Sequence, residues 1–195
     1  MSKKVIFDTK LNPRTLALRS YVVTRLNKHI DLSSSKLLEV GCGNGRFGVL
    51  LAPLCAEYIG IDPDREYLEM ARAVVPQTAR ILEGSAEKIP LDDDSVDVVF
   101  YAFSWHFVDH EKALPETRRV LRNDGIVAIL EPSTSTTQWA DPKLRPGDPE
   151  FDEDLYQEKM RQLEKAEAAI DKQLIFDNAV PEYDPHTRFN FWILK

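Results

Sequence analysis

The stretch that decides the fold is LLEVGCGNG, residues 37–45, in which a short apolar run stops at three closely spaced glycines. Such a run is typical of a buried parallel strand that leads into a tight turn. Residues 45–54 follow as a predicted helix, whose first N–H groups would attract a carboxylate or a phosphate. We therefore expect a charged small molecule to bind over this turn, at the carboxyl ends of the strands.

Strands and helices alternate around this turn, from about residue 13 to residue 130. Further strands are predicted at residues 58–61, 80–82, 96–100 and 126–130. Helices are predicted from residue 13 to about residue 30, over 45–54, over 64–74 with Asp64 as its cap, and before Leu121. This alternation predicts a parallel sheet with helices on both faces. A charged helix over residues 154–172 and two strands, 173–176 and 188–194, are predicted to follow.

Pro115 falls inside the helix predicted before Leu121. A proline in a helix interior removes a hydrogen bond and kinks the chain. Two interpretations stay open: the helix starts near Leu114, or its first turn is irregular.

Composition narrows the class of protein. The 195 residues suit one well-buried domain, and no apolar run approaches the roughly 20 residues of a membrane-spanning helix. Two cysteines do not make a disulfide framework or a metal cluster, and we expect no metal. The net charge of −7, with dispersed basic residues, argues against a nucleic-acid partner. We expect a cytoplasmic protein without membrane insertion.

Two kinds of ligand compete for the glycine turn on the residues alone. Residues 43–48 satisfy the dinucleotide fingerprint GxGxxG, and Asp62 lies about 20 residues further on, at the end of the second predicted strand. An acid there would bind ribose hydroxyls in a nicotinamide dinucleotide or in another adenosyl compound. A tight turn without any ligand is the third interpretation.

A family resemblance separates these ligands. EVGCGNG at residues 39–45 resembles the E/D-x-G-x-G-x-G signature of class I S-adenosylmethionine-dependent methyltransferases. Four more segments resemble the family in the same order: YIGID (58–62), GSAEKIP (84–90), SVDVVF with WHFV (95–100 and 105–108) and VLRNDG (120–125). They are similar to the ribose-binding strand end, the loop beside adenine, the fourth strand and the turn before the fifth. The match is to the small-molecule branch, type 11-like, which includes ubiquinone, biotin-precursor and sterol methyltransferases.

The resemblance covers about residues 36–130 and implies a fold. It implies an α/β, Rossmann-like, doubly wound sheet of seven strands, mostly parallel, with residues 188–194 as an antiparallel C-terminal strand. We predict a single domain with four parts: an N-terminal helical cover (1–35), a cofactor-binding core (36–130), a loop and helix cover (131–172) and a terminal strand pair (173–195).

The resemblance also implies the cofactor, S-adenosyl-L-methionine, and its contacts. The glycines would pass under the methionine part, Glu39 would order the turn and the amino group, and Asp62 would accept hydrogen bonds from both ribose hydroxyls. Ser85, which stands where the family usually has Asp, and Ala86 would flank the adenine. The full predicted set is Glu39, Gly41, Cys42, Gly43, Gly45, Asp62, Pro63, Ser85, Ala86 and Tyr101.

His106 and Glu131 are the catalytic candidates. Each follows a predicted strand at the carboxyl edge of the sheet, and a general base is needed when the nucleophile must lose a proton. The alternatives are a packing role for His106 beside Trp105 and a solvated strand end for Glu131. Trp105 and Trp139 could stack on an apolar acceptor or pack in the core or a lid.

The sequence thus favours methyl transfer from S-adenosylmethionine to a small-molecule acceptor. The alternatives from other classes are an NAD-dependent oxidoreductase and a cofactor-binding regulator without activity. The acceptor and the oligomeric state are not encoded in any motif.

Overall fold

The protein was analysed as a computed structural model, which describes residues 21–132, 142–144, 147–173, 181–184 and 189–194. Its strands are β1 (Lys36–Val40), β2 (Glu57–Asp62), β3 (Arg80–Glu83), β4 (Val96–Ala102), β5 (Leu121–Pro132), β6 (Pro181–Asp184) and β7 (Phe189–Leu194). The order across the sheet is β3-β2-β1-β4-β5-β7-β6. Strands β1 to β5 pair in parallel, which confirms the predicted parallel core, and β7 pairs antiparallel with β5 and β6.

Helices cover both faces of the sheet. They are α1 (helical over residues 21–26), α2 (Gly48–Leu51), α3 (Arg65–Val74), α4 (His110–Val120) and α5 (Glu153–Gln173). Short 3₁₀ turns lie at Leu32–Ser34, Ala52–Leu54, Trp105–Phe107 and Pro142–Leu144. Within the described part of the chain, no helix has both the length and the apolar character needed to cross a bilayer.

The core has two layers, because neighbouring residues of a strand point to opposite faces. Leu37 packs in one layer with residues from α1, α2 and α3, whereas Leu38 packs in the other with residues from α4 and with Ala166 of α5. Each of these side chains is almost fully buried. Burial on both faces explains why the parallel strands are mostly apolar.

One predicted helix start is confirmed, and the predicted extent of another helix is wrong. Asp64 caps α3 as expected, since its side chain accepts hydrogen bonds from the backbone N–H groups of Glu66 and Tyr67. The helix predicted over residues 45–54 is wrong in extent, because α2 covers only Gly48–Leu51 and a 3₁₀ turn follows it. Pro53 lies in that turn and has no N–H to continue the α-helical ladder.

Pro115 lies inside α4, which begins at His110, so the interpretation that this helix starts near Leu114 is wrong. The first turn combines two kinds of hydrogen bond. The carbonyl of Asp109 accepts from the N–H of Lys112 at 3.0 Å and from that of Ala113 at 2.8 Å. The helix therefore accommodates the proline after a first turn of mixed 3₁₀ and α character.

The ends of the last strands also depart from prediction. The strand predicted over residues 126–130, β5, begins instead at Leu121, which pairs with Val96, and the register shifts before Ile126 pairs with Val98. A Cβ on Gly125 would come within 2.8 Å of the Asp97 carbonyl oxygen, so this irregular stretch requires glycine. The strand predicted at residues 173–176 is wrong at its start, because Gln173 ends α5, and residues 174–176 lie outside the described residues.

Gly45 provides a test of how tightly α3 packs against the turn after β1. It has a φ of +80°, and a Cβ there would lie 3.1 Å from the Cα of Ala71. We expect Gly45→Ala to lower the free energy of unfolding by about 2–4 kcal/mol, through backbone strain and overpacking together. Urea denaturation followed by circular dichroism measures this change.

Gly147→Ala is the matched control. Gly147 also has a positive φ, +90°, but within the part of the chain that the structure describes no atom lies within 4 Å of the point that its Cβ would occupy. It should cost only the backbone strain, about 1–2 kcal/mol. Equal losses for the two variants would contradict the close packing of α3 on the turn.

Candidate functional site

The glycine turn after β1 takes a left-handed backbone at three positions. Gly41, Gly43 and Gly45 have φ values of +73°, +50° and +80°. A Cβ on Gly41 would collide with the Cβ of Ser104, at 2.5 Å, whereas no atom of the described residues lies within 4 Å of a Cβ on Gly43. Gly43 therefore presents bare backbone to open space, which is what close approach of a ligand requires.

Asp62, at the end of β2, is bonded directly to this turn. Its Oδ2 accepts a hydrogen bond from the N–H of Gly43 at 2.9 Å, and its Oδ1 accepts one from the N–H of Asp64 at 2.9 Å. The residue is 8% exposed. A carboxylate has about four lone-pair sites, so two remain for a ligand. The structure thus brings together the two motifs on which the interpretation of the sequence depends.

Glu39 lies one strand away and is buried, with 2% of its surface exposed. Its carboxylate accepts a hydrogen bond from the phenol of Tyr58 on β2. Burial, with the negative charge of Glu39 as the second cause, holds the pKa of Tyr58 well above its ordinary value. The phenol therefore stays protonated and remains a donor to the carboxylate.

A cavity of about 420 Å³ opens at this edge of the sheet. Its lining contains part of the predicted set together with residues that sequence reasoning does not single out: Glu39, Gly41, Cys42, Gly43, Asn44, Arg46, Phe47, Tyr67, Ala102 and Phe103. Asn44, Arg46 and Phe47 lie in or beside the quoted motif and could have been inferred from it. Tyr67 and Phe103 could not, because they reach the cavity from α3 and from the end of β4.

Phe103 holds an unusual backbone conformation at the cavity wall. Its φ is +58°, a region that a bulky side chain rarely occupies. The N–H of Phe103 donates to the carbonyl of Leu130 at 2.8 Å, and its ring centroid lies 6.3 Å from that of Phe47. Backbone strain of this kind costs about 1–3 kcal/mol and clusters at functional sites.

Cys42 contributes its backbone and a buried thiol. Burial is the main reason why the pKa of this thiol is raised, and the charges of Glu39 and Asp62 raise it further. The thiol is therefore protonated at neutral pH and is not a nucleophile.

The other predicted cofactor contacts, Asp62 among them, are not part of the cavity lining. Gly45 packs on α3, and Pro63 is exposed beside Asp62. Tyr101 is fully buried, and its hydroxyl bonds with the Thr117 hydroxyl at 2.7 Å, so its side chain points into the core. Ser85 and Ala86 lie in the loop after β3. The roles predicted for these residues stay predictions.

Arg119 of α4 anchors the loop that carries Ser85 and Ala86. Its guanidinium donates to the carbonyls of Ile89 and Leu91 at 2.9 and 2.8 Å, while Glu116 accepts from the N–H of Ile89 at 2.9 Å. Glu116 and then Asp93 raise the pKa of Arg119 by their hydrogen bonds, so the anchor is permanently charged. The loop is therefore held against α4 at its far end.

The two catalytic candidates form a pair. His106, in the 3₁₀ turn after β4, places Nδ1 at 2.6 Å from Oε2 of Glu131, and its backbone N–H donates to Oε1 at 3.3 Å. Glu131 is 1% exposed, so its interpretation as a solvated strand end is wrong. With a carboxylate at Nδ1, that nitrogen carries the ring proton.

The second ring nitrogen of His106 contacts Lys159, a residue that the sequence analysis does not single out. Nε2 lies 2.7 Å from Nζ of Lys159, which α5 supplies. The sequence separation of 53 residues leaves no local signal for this contact. Trp105 is 2% exposed and packs edge-on against Tyr101 with centroids 4.8 Å apart, which makes it a core residue. Trp139 lies outside the described residues.

Comparison with known proteins identifies the region that contains this site. A sequence family described as methyltransferase domain matches residues 38–129. An uncharacterized methyltransferase of Mycobacterium bovis is 38% identical over 111 residues, which are 57% of this chain and 45% of that protein. The ubiquinone/menaquinone biosynthesis C-methyltransferase of Citrifermentans bemidjiense is 35% identical over 119 residues, 56% of this chain and 51% of that protein. This chain thus spans about half the length of these curated relatives.

The fold has solved counterparts. The S-adenosylmethionine-dependent methyltransferase of Mesorhizobium loti superimposes with a TM-score of 0.63 at 18% identity, covering 92% of this chain and 98% of that one. At this identity the likeness concerns the fold, which is the Rossmann-like methyltransferase fold.

The buried hydrogen bond from Tyr58 to Glu39 provides a test of whether Glu39 carries a negative charge at the cavity wall. We expect Tyr58→Phe to lower the free energy of unfolding by about 1.5–3 kcal/mol, because the lost hydrogen bond goes to a carboxylate. Urea denaturation of the two proteins measures the difference.

Tyr101→Phe is the matched control, since it removes a buried phenol whose partner, the Thr117 hydroxyl, is neutral. A loss of only about 0.5–1.5 kcal/mol is expected there. If Tyr58→Phe cost no more than Tyr101→Phe, Glu39 would not be the charged acceptor described above.

Proposed function

Since residues 38–129 belong to the class I S-adenosylmethionine-dependent methyltransferase family, we propose that this chain binds S-adenosylmethionine over the glycine turn and transfers its methyl group to a small-molecule acceptor. The observation that carries the proposal is the bond between the Gly43 N–H and the Asp62 carboxylate, at 2.9 Å beside the cavity. It puts bare backbone and a carboxylate within reach of one ligand.

The residues at the cavity fit an adenosyl ligand that carries an amino acid. The cavity, about 420 Å³, falls within the usual range for small-molecule sites. In this proposal the two spare lone-pair sites of Asp62 accept the ribose hydroxyls, and Glu39 receives the amino group. Arg46, the cationic residue in the lining, receives the carboxylate, and Ser85 and Ala86 border the adenine.

The helix that follows the turn is too short to contribute a large dipole. α2 starts at Gly48, three residues after Gly45, and has only 4 residues. The glycine N–H groups are bonded within the fold, those of Gly41 and Gly45 to the carbonyls of Ile61 and Cys42 and that of Gly43 to Asp62. The polar contacts to the ligand are therefore proposed to come from side chains around the cavity, with Gly43 allowing close approach.

When bound, S-adenosylmethionine supplies a methyl group on a sulfonium, which is already a strong donor. The task that remains for the protein is alignment, worth about 7–11 kcal/mol in well-oriented systems, and removal of a proton where the acceptor carries one. Glu131 holds the Nδ1–H of His106 and thereby orients the ring, so that Nε2 is its basic nitrogen. We propose that this pair is part of the acid–base group.

The acceptor side is proposed to lie under α5, with residues 131–172 as its cover. The likeness to a ubiquinone/menaquinone C-methyltransferase supports an acceptor that is a small organic molecule. The net charge of −7 supports the absence of a nucleic-acid partner.

An NAD-dependent oxidoreductase is the rival to exclude. Gly48 is the last glycine of the GxGxxG fingerprint at residues 43–48. A Cβ on this residue would come within 2.8 Å of the Tyr58 hydroxyl. Close packing of this kind is also a property of dinucleotide-binding turns. Equilibrium binding of S-adenosylhomocysteine and of NADH to the same chain separates the two, and binding of NADH alone would overturn the proposal.

Asp62 provides the quantitative test of the cofactor site. We expect Asp62→Ala to weaken S-adenosylhomocysteine binding by about 1.5–3 kcal/mol, roughly 10- to 150-fold, because hydrogen bonds to a charged group are lost. Isothermal titration calorimetry measures the affinity.

Asp64→Asn is the control for that experiment. Asparagine also caps helices, so α3 should keep its start while a neighbouring charge is removed. Its affinity should stay within about 2-fold of the original, given the small effect of an exposed charge. Unchanged affinity of a folded Asp62→Ala protein would remove Asp62 from the site.

A further inference from the structure

Lys159 lies on the packed face of α5. Leu163 and Ala166 follow it at positions i+4 and i+7, which share one side of a helix, and both are 1% exposed. A lysine on the buried side of an amphipathic helix costs free energy unless its amine finds a partner. Its position therefore requires a specific explanation.

The partner of the amine is an imidazole and not a carboxylate. Nζ lies 2.7 Å from Nε2 of His106 and 4.1 Å from the centroid of the Phe107 ring. The cation–π contact favours a charged amine. The short distance to Nε2 restricts how many protons Nζ and Nε2 can carry together. Two nitrogens at hydrogen-bond distance must have one donor and one acceptor between them.

Glu131 fixes how many protons this arrangement holds. Its buried carboxylate takes the Nδ1–H of His106, which leaves Nε2 and Nζ to share a single proton between them. With that proton, the charges of Glu131, His106 and Lys159 sum to zero. A second proton would leave a net positive charge, and loss of the first would leave an uncompensated buried carboxylate.

Resting on the proposed function, we propose that Lys159, His106 and Glu131 form one acid–base group with a single proton shared between Nε2 and Nζ, and that Lys159 takes the proton of the methyl acceptor. The acceptor is then a compound whose nucleophilic atom carries an acidic proton, on oxygen or nitrogen. His106 acts through Lys159 and is a positioning residue.

Lys159 is assigned the contact with the acceptor because both ring nitrogens of His106 are occupied. The His106 residue is 8% exposed, while the amine of Lys159 has N–H positions left over and lies beside Phe107, which is 69% exposed. With the shared proton on Nε2, the imidazolium lies against Glu131 at 2.6 Å and Lys159 is a neutral amine. Buried lysines act as general bases in this form.

The burial of the amine favours this state. Burial lowers the pKa of Lys159, and the charge of Glu131 on β5 opposes that effect. His110 of α4 adds no charge nearby, because burial lowers its pKa and its Nε2 donates to the carbonyl of Trp105 at 2.9 Å. Lys165 of α5 is exposed and lowers the pKa of His110 further.

The proton transfer balances with the methyl transfer. The bond from the acceptor atom to the methyl carbon forms as the carbon–sulfur bond breaks, and the electron pair of that bond stays on sulfur. The acceptor's proton moves to the neutral Nζ, and the electrons of its former bond stay on the acceptor atom. Lys159 and His106 then hold one proton more than before, and they release it to solvent.

Nuclear magnetic resonance titration of the full chain, with ¹³C- and ¹⁵N-labelled lysine, tests the proposal. We expect the pKa of Lys159 to lie below the ordinary lysine value of 10.5. Glu131→Gln should lower it further, since the nearby negative charge that favours the ammonium is removed. A lysine that keeps its ordinary pKa stays an ammonium at neutral pH, cannot take the proton and would overturn the proposal.

Glu158→Gln is the matched control. Glu158 precedes Lys159 but is exposed and pairs with Arg161 at 2.9 Å, so its loss should leave the Lys159 titration unchanged. Equal changes of the Lys159 pKa in the two variants would also overturn the shared proton. If Glu131→Gln does not fold, the pKa of Lys159 in the unsubstituted chain decides whether the proposal stands. The measurement needs no cofactor, so its failure is distinguishable from a failure to bind S-adenosylhomocysteine, which bears on the proposed function alone.

Discussion

The hydrogen bond from the Gly43 N–H to the Asp62 carboxylate is the contact on which the site depends. It joins the turn after β1 to the end of β2, two strands that pair in parallel from Lys36 to Val40. The bond forms because the glycines take a left-handed backbone that turns the N–H group toward the neighbouring strand. A side chain at Gly41 would strike Ser104, so the same geometry also excludes other residues from this position.

Buried carboxylates lie near the carboxyl ends of β1, β2 and β5, and each has different hydrogen-bond donors. Glu39 accepts from a phenol, Asp62 accepts from two backbone N–H groups, and Glu131 faces an imidazole. These partners differ in how easily they release a proton. The phenol and the amides are fixed donors, whereas the imidazole can change its charge. The hydrogen bonds beside the glycine turn therefore have fixed donors, whereas the imidazole beside Glu131 is a partner that can change its charge.

Much of the site was predictable because it is local in sequence. The glycine turn, the acid at the end of β2 and the cap at Asp64 each lie within a few residues of the signal that reveals them. The helix predicted over residues 45–54 shows the limit of this reasoning. Apolar residues in that stretch are compatible with a helix, but Pro53 interrupts the ladder and the glycine turn occupies the first three positions.

The sequence by itself determined the parallel α/β core, the glycine turn and the acid at the end of β2, because the period of apolar residues and the positions of glycine encode backbone conformation directly. Only the tertiary structure decided that His106 and Glu131 meet, that Glu131 is buried and that Lys159 completes the group. Those three residues come from a 3₁₀ turn, a strand and a helix. Their contact depends on how α5 packs against the sheet, and packing between distant elements leaves no periodic trace in the sequence.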